Sequence, residues 1–266
     1  MIKYTQWLTS FRLNCYLIFA ISVFFLTHTA KAETQLTTSP LKICWESELK
    51  PPYLTIGEQG QLQGIAVDWI AQIMKRENLK YQNVIMPWKR CLANLKRGQV
   101  DLVPNSSYKQ SRSEFSHYSD ELYRTHLAFY FLKDRHPTAN SFNTIEQFRQ
   151  FKIGGVRGFN YSFYDGLIDL DQGASNRRAL IFKLKRKRID FAILQKEVIE
   201  SIFQYEKPQL NNISSVLAPG YNYKAFYVLV SKSNKQSMQI LTQFNRGLKH
   251  LKAAGGYQTI KQSYLQ

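Results

Sequence analysis

Metal-ligating and nucleophilic residues are sparse in this 266-residue sequence, which has three cysteines and five histidines. The histidines, at positions 28, 117, 126, 136 and 250, are scattered, and no His, Cys, Asp or Glu cluster has metal-site spacing. A Gly-x-Ser-x-Gly elbow is missing as well. These gaps count against metal-dependent and serine-hydrolase chemistry. Acid is scarce: 19 Asp and Glu face 36 Lys and Arg, a formal net charge of +17. No groove-reading or base-stacking motif accompanies that charge, so nucleic acid is not the expected partner. Also lacking is a comfortable bilayer span of roughly 20 apolar residues, because the apolar run Leu17–Leu26 has only ten.

What that run does have is a leader's surroundings. Lys3 and Arg12 precede it, and Ala30-Lys31-Ala32 follows with small residues where signal peptidase needs them. Residues 1–32 are therefore read as a signal peptide cleaved after Ala32, with an uncleaved anchor as the rival. Cys15 lies before the apolar run, which argues against a lipoprotein. The expected mature chain keeps 33 basic and 19 acidic side chains, net +14, and works in the periplasm. With 44% hydrophobic and 14% aromatic residues it can bury a sizeable core. The densest basic run, Arg177 to Arg188, reads as a solvated helix face or as a docking patch. Cys44 and Cys91 remain after processing, an even number in an oxidising compartment. They form either a disulfide or two buried thiols.

Leu41–Trp45 suits a buried strand, and Ile65, Trp69, Ile70, Ile73 and Met74 recur at helical spacing. Val84–Met86 predicts a strand, Cys91, Leu92 and Leu95 a helix closed by Gly98, and Val100–Val103 a strand. The alternation restarts after Leu132: a helix carrying Phe148 and Phe151, a strand at Ile153–Val156, a helix over Ala179–Leu184 and a strand over Ile189–Leu194. Such alternation argues for parallel sheets covered on both faces, here in two α/β units. Leu127–Leu132 and Phe226–Val230 are candidate crossing strands, and Met238, Leu241, Phe244, Leu248 and Leu251 mark a final helix stopped by Gly255-Gly256. The expected organisation is lobe one over 33–130, lobe two over 131–226 and a return to lobe one over 227–266.

Local motifs in this order resemble the bacterial extracellular solute-binding proteins of family 3, type II periplasmic binding proteins related to polar amino acid receptors. They are Pro51-Pro52-Tyr53, Gly64–Asp68, Pro87-Trp88-Lys89-Arg90, Gly98-Gln99-Val100-Asp101, Ser111-Arg112 with Tyr118-Ser119 and Tyr123, and Gly256-Tyr257 with Ile260 and Tyr264. The resemblance implies an α/β fold of the periplasmic binding protein-like II type: two lobes joined by two crossing strands, with a ligand cleft between them. The lobes of such proteins close on the solute by bending at the hinge.

The resemblance places Arg112 where the family grips a ligand carboxylate, a task that suits a guanidinium fork. Tyr53 and Trp88 are read as aromatic walls of the cleft or as core residues. Asn105, Ser106 and Ser107 follow the third strand, where an open parallel sheet presents its strand ends to a ligand, though a plain turn uses the same residues. In lobe two, Asn160, Tyr161 and Ser162 occupy a loop that the family uses for its ligand. One position departs from the pattern. Where amino acid receptors carry an Asp to pair the ligand's ammonium, counting from Asp190 leads to Gln195, with Glu197 as the substitute if the register slips. A neutral amide shifts the expectation from an ordinary α-amino acid to a carboxylate-bearing or uncharged polar solute.

The expected function is thus a non-catalytic, monomeric receptor without cofactor, delivering a small polar solute to an inner-membrane ABC permease or to a sensor. Two other readings stay open. One is a dehydratase-like enzyme on the same fold, for which His117 is the nearest acid or base; the other is an interaction module whose cleft binds nothing.

Overall fold

The computed structural model describes residues 39–204, 212–221 and 223–264; the leader and its cleavage point at Ala32 lie outside them. Strand β1 (Leu41–Glu46) opens the first lobe, followed by a small hairpin, β2 (Thr55–Ile56) and β3 (Leu62–Gln63). Helix α1 (Ile65–Arg76) buries the apolar stripe read from its spacing. Its entry depends on Gly64, whose φ is 124° and where a Cβ would lie 2.6 Å from the Tyr53 backbone. Strand β4 (Tyr81–Met86), helix α2 (Trp88–Lys96) and strand β5 (Leu102–Ser106) complete the unit. Parallel β4 and β5 flank β1. Cys44 on β1 and Cys91 on α2 are both fully buried and disulfide-bonded, with Cα atoms 5.7 Å apart.

After the short strand β6 (Ser116–Tyr118) comes β7 (Tyr123–Leu132). The second lobe contains β8 (Ile153–Val156), β9 (Leu170–Ala174), α3 (Arg177–Lys185), β10 (Phe191–Gln195), α4 (Lys196–Gln204) and β11 (Ile213–Leu217). Strand β12 (Tyr223–Ser231) returns to the first lobe, where α5 (Ser237–Ala253) and α6 (Gly256–Ser263) end the described chain.

One sheet runs through both lobes in the order β4-β1-β5-β12-β7-β10-β8-β9. Its centre is the crossing pair. Tyr123–His126 of β7 pair antiparallel with Tyr223–Phe226 of β12. Beyond that stretch the strands part company: Leu127–Leu132 of β7 pair with β10 and β11, while β12 continues against β5 and β6. Each strand therefore belongs to both lobes, and the shared segment is the sheet's passage from one lobe to the other.

Three local expectations need adjustment. Phe148 and Phe151 do not sit on an α-helix; Ile145–Phe148 is a single 3-10 turn, because only four residues separate Phe148 from β8. Strand β5 runs to Ser106 rather than stopping at Val103, so polar Asn105 and Ser106 are its buried last residues. Strand β9 and helix α4 were not expected at all. The polar, glycine-bearing β9 (LDQGA) gives no alternating signal, and α4 follows β10 without a break.

Candidate functional site

Parallel strands β1, β5, β8 and β10 turn their C-terminal ends toward the gap between the lobes, the usual ligand position in an open α/β sheet. A cavity of about 40 Å³ lies there. The first lobe lines it with Glu46, Lys50, Trp88, Asn105, Ser107 and Arg112. Gly158, Phe159, Asn160, Arg177 and Gln195 face them from the second lobe, and Lys224 and Phe226 of β12 form the hinge side. The lobes also touch: Arg177 Nη1 donates to Glu48 Oε1 at 2.8 Å, and Asn160 Nδ2 donates to the Tyr108 carbonyl at 2.6 Å.

Arg112 closes a 3-10 turn after β5 and is 7% exposed. Its Nη1 donates to Ser106 Oγ at 3.1 Å and to the Ser107 carbonyl at 2.7 Å, and its guanidinium carbon lies 5.3 Å from the Trp88 ring centroid. None of these partners is a carboxylate. Burial lowers its pKa, partly offset by Tyr118. Even so, a guanidinium keeps its proton, so a positive charge is held here by neutral hydrogen-bond partners.

Three buried polar atoms around this cavity have no hydrogen-bond partner among the described residues: Asn105 Nδ2, Arg177 Nε and Gln195 Oε1. A buried polar group left unpaired costs about 1–3 kcal/mol, and here the three come from β5, α3 and β10. Asn105 has a φ of 60°, a left-handed conformation that asparagine tolerates, and its Oδ1 accepts from the Tyr123 hydroxyl at 2.8 Å. Arg177 is the first residue of α3. Asn176 caps that helix by accepting from the Ala179 amide at 2.8 Å.

Further positive charge comes from two lysines. Lys224 is buried, and desolvation followed by the neighbouring Arg112 and Arg177 pulls its pKa down to about 7; its Nζ donates to the Asn160 carbonyl. Lys50 is 1% exposed, its Nζ lies 3.1 Å from the Phe226 ring centroid, and burial depresses its pKa against the pull of Glu46. Burial raises the Glu46 carboxyl in turn, against the pull of Arg177 and Lys50. Among the described residues no group of three or more His, Cys, Asp or Glu could hold a metal ion.

Of the residues singled out in the sequence, Trp88, Asn105, Ser107, Arg112, Asn160 and Gln195 meet at the cavity. Ser106 stands just behind, holding Arg112. Tyr53 does not line the cavity; its ring stacks on Tyr123. Tyr161 turns into the second lobe's core, its hydroxyl accepting from the Val156 amide at 2.9 Å. Ser162 is exposed. Glu197 instead accepts from the His126 backbone amide at 2.9 Å and pairs with its ring, and His117 sits on β6 opposite Val230. Glu46, Lys50 and Lys224 went unread, and Arg177 was read only as part of a basic run. Arg177 is hidden at the head of a basic run whose other members suggest a solvated face, and Lys224 is masked by the apolar run after it.

Two α/β lobes sharing two hinge strands around a polar cleft define a binding protein of the periplasmic binding protein-like II fold. The chain belongs to the bacterial extracellular solute-binding proteins, family 3, whose family model matches residues 41–266. Among solved structures it is similar to the arginine-, lysine-, histidine-binding protein ArtJ from Geobacillus stearothermophilus, at TM-score 0.69 and 14% identity, covering 85% of this chain and 95% of that one. A histidine kinase sensor domain with similarity to periplasmic binding proteins gives TM-score 0.68 at 17% identity, covering 85% and 96%. An ABC uptake transporter substrate-binding protein from Streptococcus pneumoniae with bound histidine gives 0.68 at 17%, covering 85% and 92%. These likenesses concern the fold. No curated protein matches the sequence. Among the described residues no helix is long and apolar enough to cross a membrane.

Proposed function

We infer that this chain is a periplasmic receptor, freed of residues 1–32, that captures a small carboxylate-bearing solute by closing its lobes. It hands the solute to an inner-membrane ABC permease or reports it to a sensor, working as a monomer and without catalysis. In this reading lobe one comprises 33–130 and 227–266, and lobe two 131–226. The direct ligand contacts are Arg112, Trp88, Asn105, Ser107, Asn160 and Gln195.

The observation that carries this reading is buried Arg112, with only uncharged hydrogen-bond partners, beside unpaired polar atoms contributed by both lobes. A solute that satisfies both sets makes all its contacts only when the lobes are together, so its binding energy favours closure. Fold neighbours that take arginine, lysine or histidine leave open which solute this cleft takes. Here a cleft rich in cations and a neutral Gln195 support an acid over a cationic amino acid.

A thermal-shift screen of organic acids, amino acids and short peptides tests the reading, since a ligand of the folded state raises the melting temperature. At a concentration of about a hundred times Kd, the gain is about 2.7 kcal/mol. Arg112→Gln is expected to abolish the shift. A screen without any hit, together with an Arg112→Gln protein indistinguishable from wild type, would count against a solute receptor.

A further inference from the structure

The cleft holds more positive charge than one carboxylate can balance. We propose that the solute is a compact dianion bearing a hydroxyl, with one anionic group on Arg112 of the first lobe and the other on Arg177 of the second. This rests on the receptor reading above and sharpens it.

Charge supplies the first part of the case. Lys50, Arg112, Arg177 and Lys224 line the cavity, whereas Glu46 is the one carboxylate among its lining residues. Glu48, just outside, is bound to Arg177. Burial disfavours the charge on Lys50 and Lys224 while the cleft is empty, and an entering anion restores it. With all four charged, Glu46 and Glu48 balance two and leave two positive charges without an acid among the described residues. Buried charge without a partner is costly. A monoanion answers half of the surplus. A zwitterion adds an ammonium where the walls are already cationic, and Gln195 offers it no charge. A dianion balances the site.

The unpaired atoms supply the second part. Arg177 Nη1 is committed to Glu48 Oε1 and the Leu49 carbonyl, but its Nε is buried without a partner, as is Asn105 Nδ2. Both are donors, suited to anionic oxygens. Gln195 Oε1 is an acceptor and asks the solute for a donor, which a hydroxyl supplies. Because Arg112 and Arg177 belong to different lobes, two anionic groups on one small frame tie the lobes together, whereas a monoanion engages one side. Hydroxy-dicarboxylates and hydrogen phosphate share this chemistry.

Isothermal titration of the purified protein at pH 7 and about 0.1 M salt, where the Debye length is about 10 Å, separates the possibilities. The probes are malate, succinate, inorganic phosphate, lactate, glutamate and arginine. Malate or phosphate is expected to bind at least about tenfold tighter, or about 1.4 kcal/mol, than lactate, glutamate or arginine; which of the two leads identifies the source. Malate should exceed succinate, which lacks the hydroxyl. Arg177→Gln should cost the preferred dianion at least about tenfold more than it costs lactate, and a cooperative denaturation transition shows that the variant is folded. Tightest binding by glutamate or arginine, or an equal loss of malate and lactate in Arg177→Gln, overturns the dianion and leaves the receptor reading standing. Failure of every probe, with no hit in the wider screen, removes both.

Discussion

Tyr53 and Tyr123 lie face to face, their ring centroids 4.0 Å apart and their planes within 9°. Tyr123 begins the crossing strand β7 and also stacks on Phe226 of β12, at 5.0 Å. The residue after the two prolines therefore braces the hinge from behind.

Tyr53→Ala should then act on stability. Truncating a buried large aromatic costs about 3–5 kcal/mol, to be read from urea denaturation. Tyr53→Phe keeps the stack and is expected to stay within about 1 kcal/mol of wild type. A large affinity loss in Tyr53→Phe at unchanged stability would instead assign the hydroxyl to the ligand.

Lys224 should make stability rise with pH. Its pKa is about 7 in the folded chain against an ordinary 10.5, so between these values the unfolded chain binds the extra proton. The contribution of this neutral lysine is complete above the ordinary value and is lost as pH falls through about 7. The slope is at most about 1.4 kcal/mol per pH unit. Subtracting the pH profile of Lys224→Met from that of wild type isolates it from other groups. An anion in the cleft restores the proton, so its affinity should fall as pH climbs from 7 to 9, by up to about tenfold per unit.

Reduction should loosen the first lobe. The Cys44–Cys91 bond closes a separation of 47 residues, for which loop-closure entropy gives about 4 kcal/mol, with about 2–4 typical of measurements. Denaturation with and without reductant measures it, and Cys44→Ala/Cys91→Ala should show no further response to reductant.

Gly64→Ala should destabilise by at least about 1–3 kcal/mol, the cost of holding a non-glycine residue in a sparsely populated region. The added methyl would also meet the Tyr53 backbone at 2.6 Å. The midpoint of denaturation reports it; no change would mean that the hairpin before α1 shifts freely.

How much of this was legible in the sequence differed by element. The stripe of α1 and the buried runs of β1, β8 and β10 declare themselves because one face or both faces are apolar. The ordered motifs around Arg112 gave the fold and half of the cleft. Strand β9 stayed hidden because it is polar, and Arg177 because a buried arginine and a solvated one look the same in a basic run. Only the capped start of α3, which sets its first side chain against the other lobe, separates them. Tyr53 illustrates the reverse: its neighbours marked it as special, yet stacking on Tyr123 is a long-range contact that spacing does not encode.

The staple between β1 and α2 reaches further than stability. Cys44 lies two residues before Glu46 and Cys91 three after Trp88, so the bond fixes the distance between two walls of the cleft. In a reducing compartment that bond does not persist, and only side-chain packing then holds the two elements together. A receptor of the kind proposed would thus have its two cleft walls set at their working distance only where thiols oxidise.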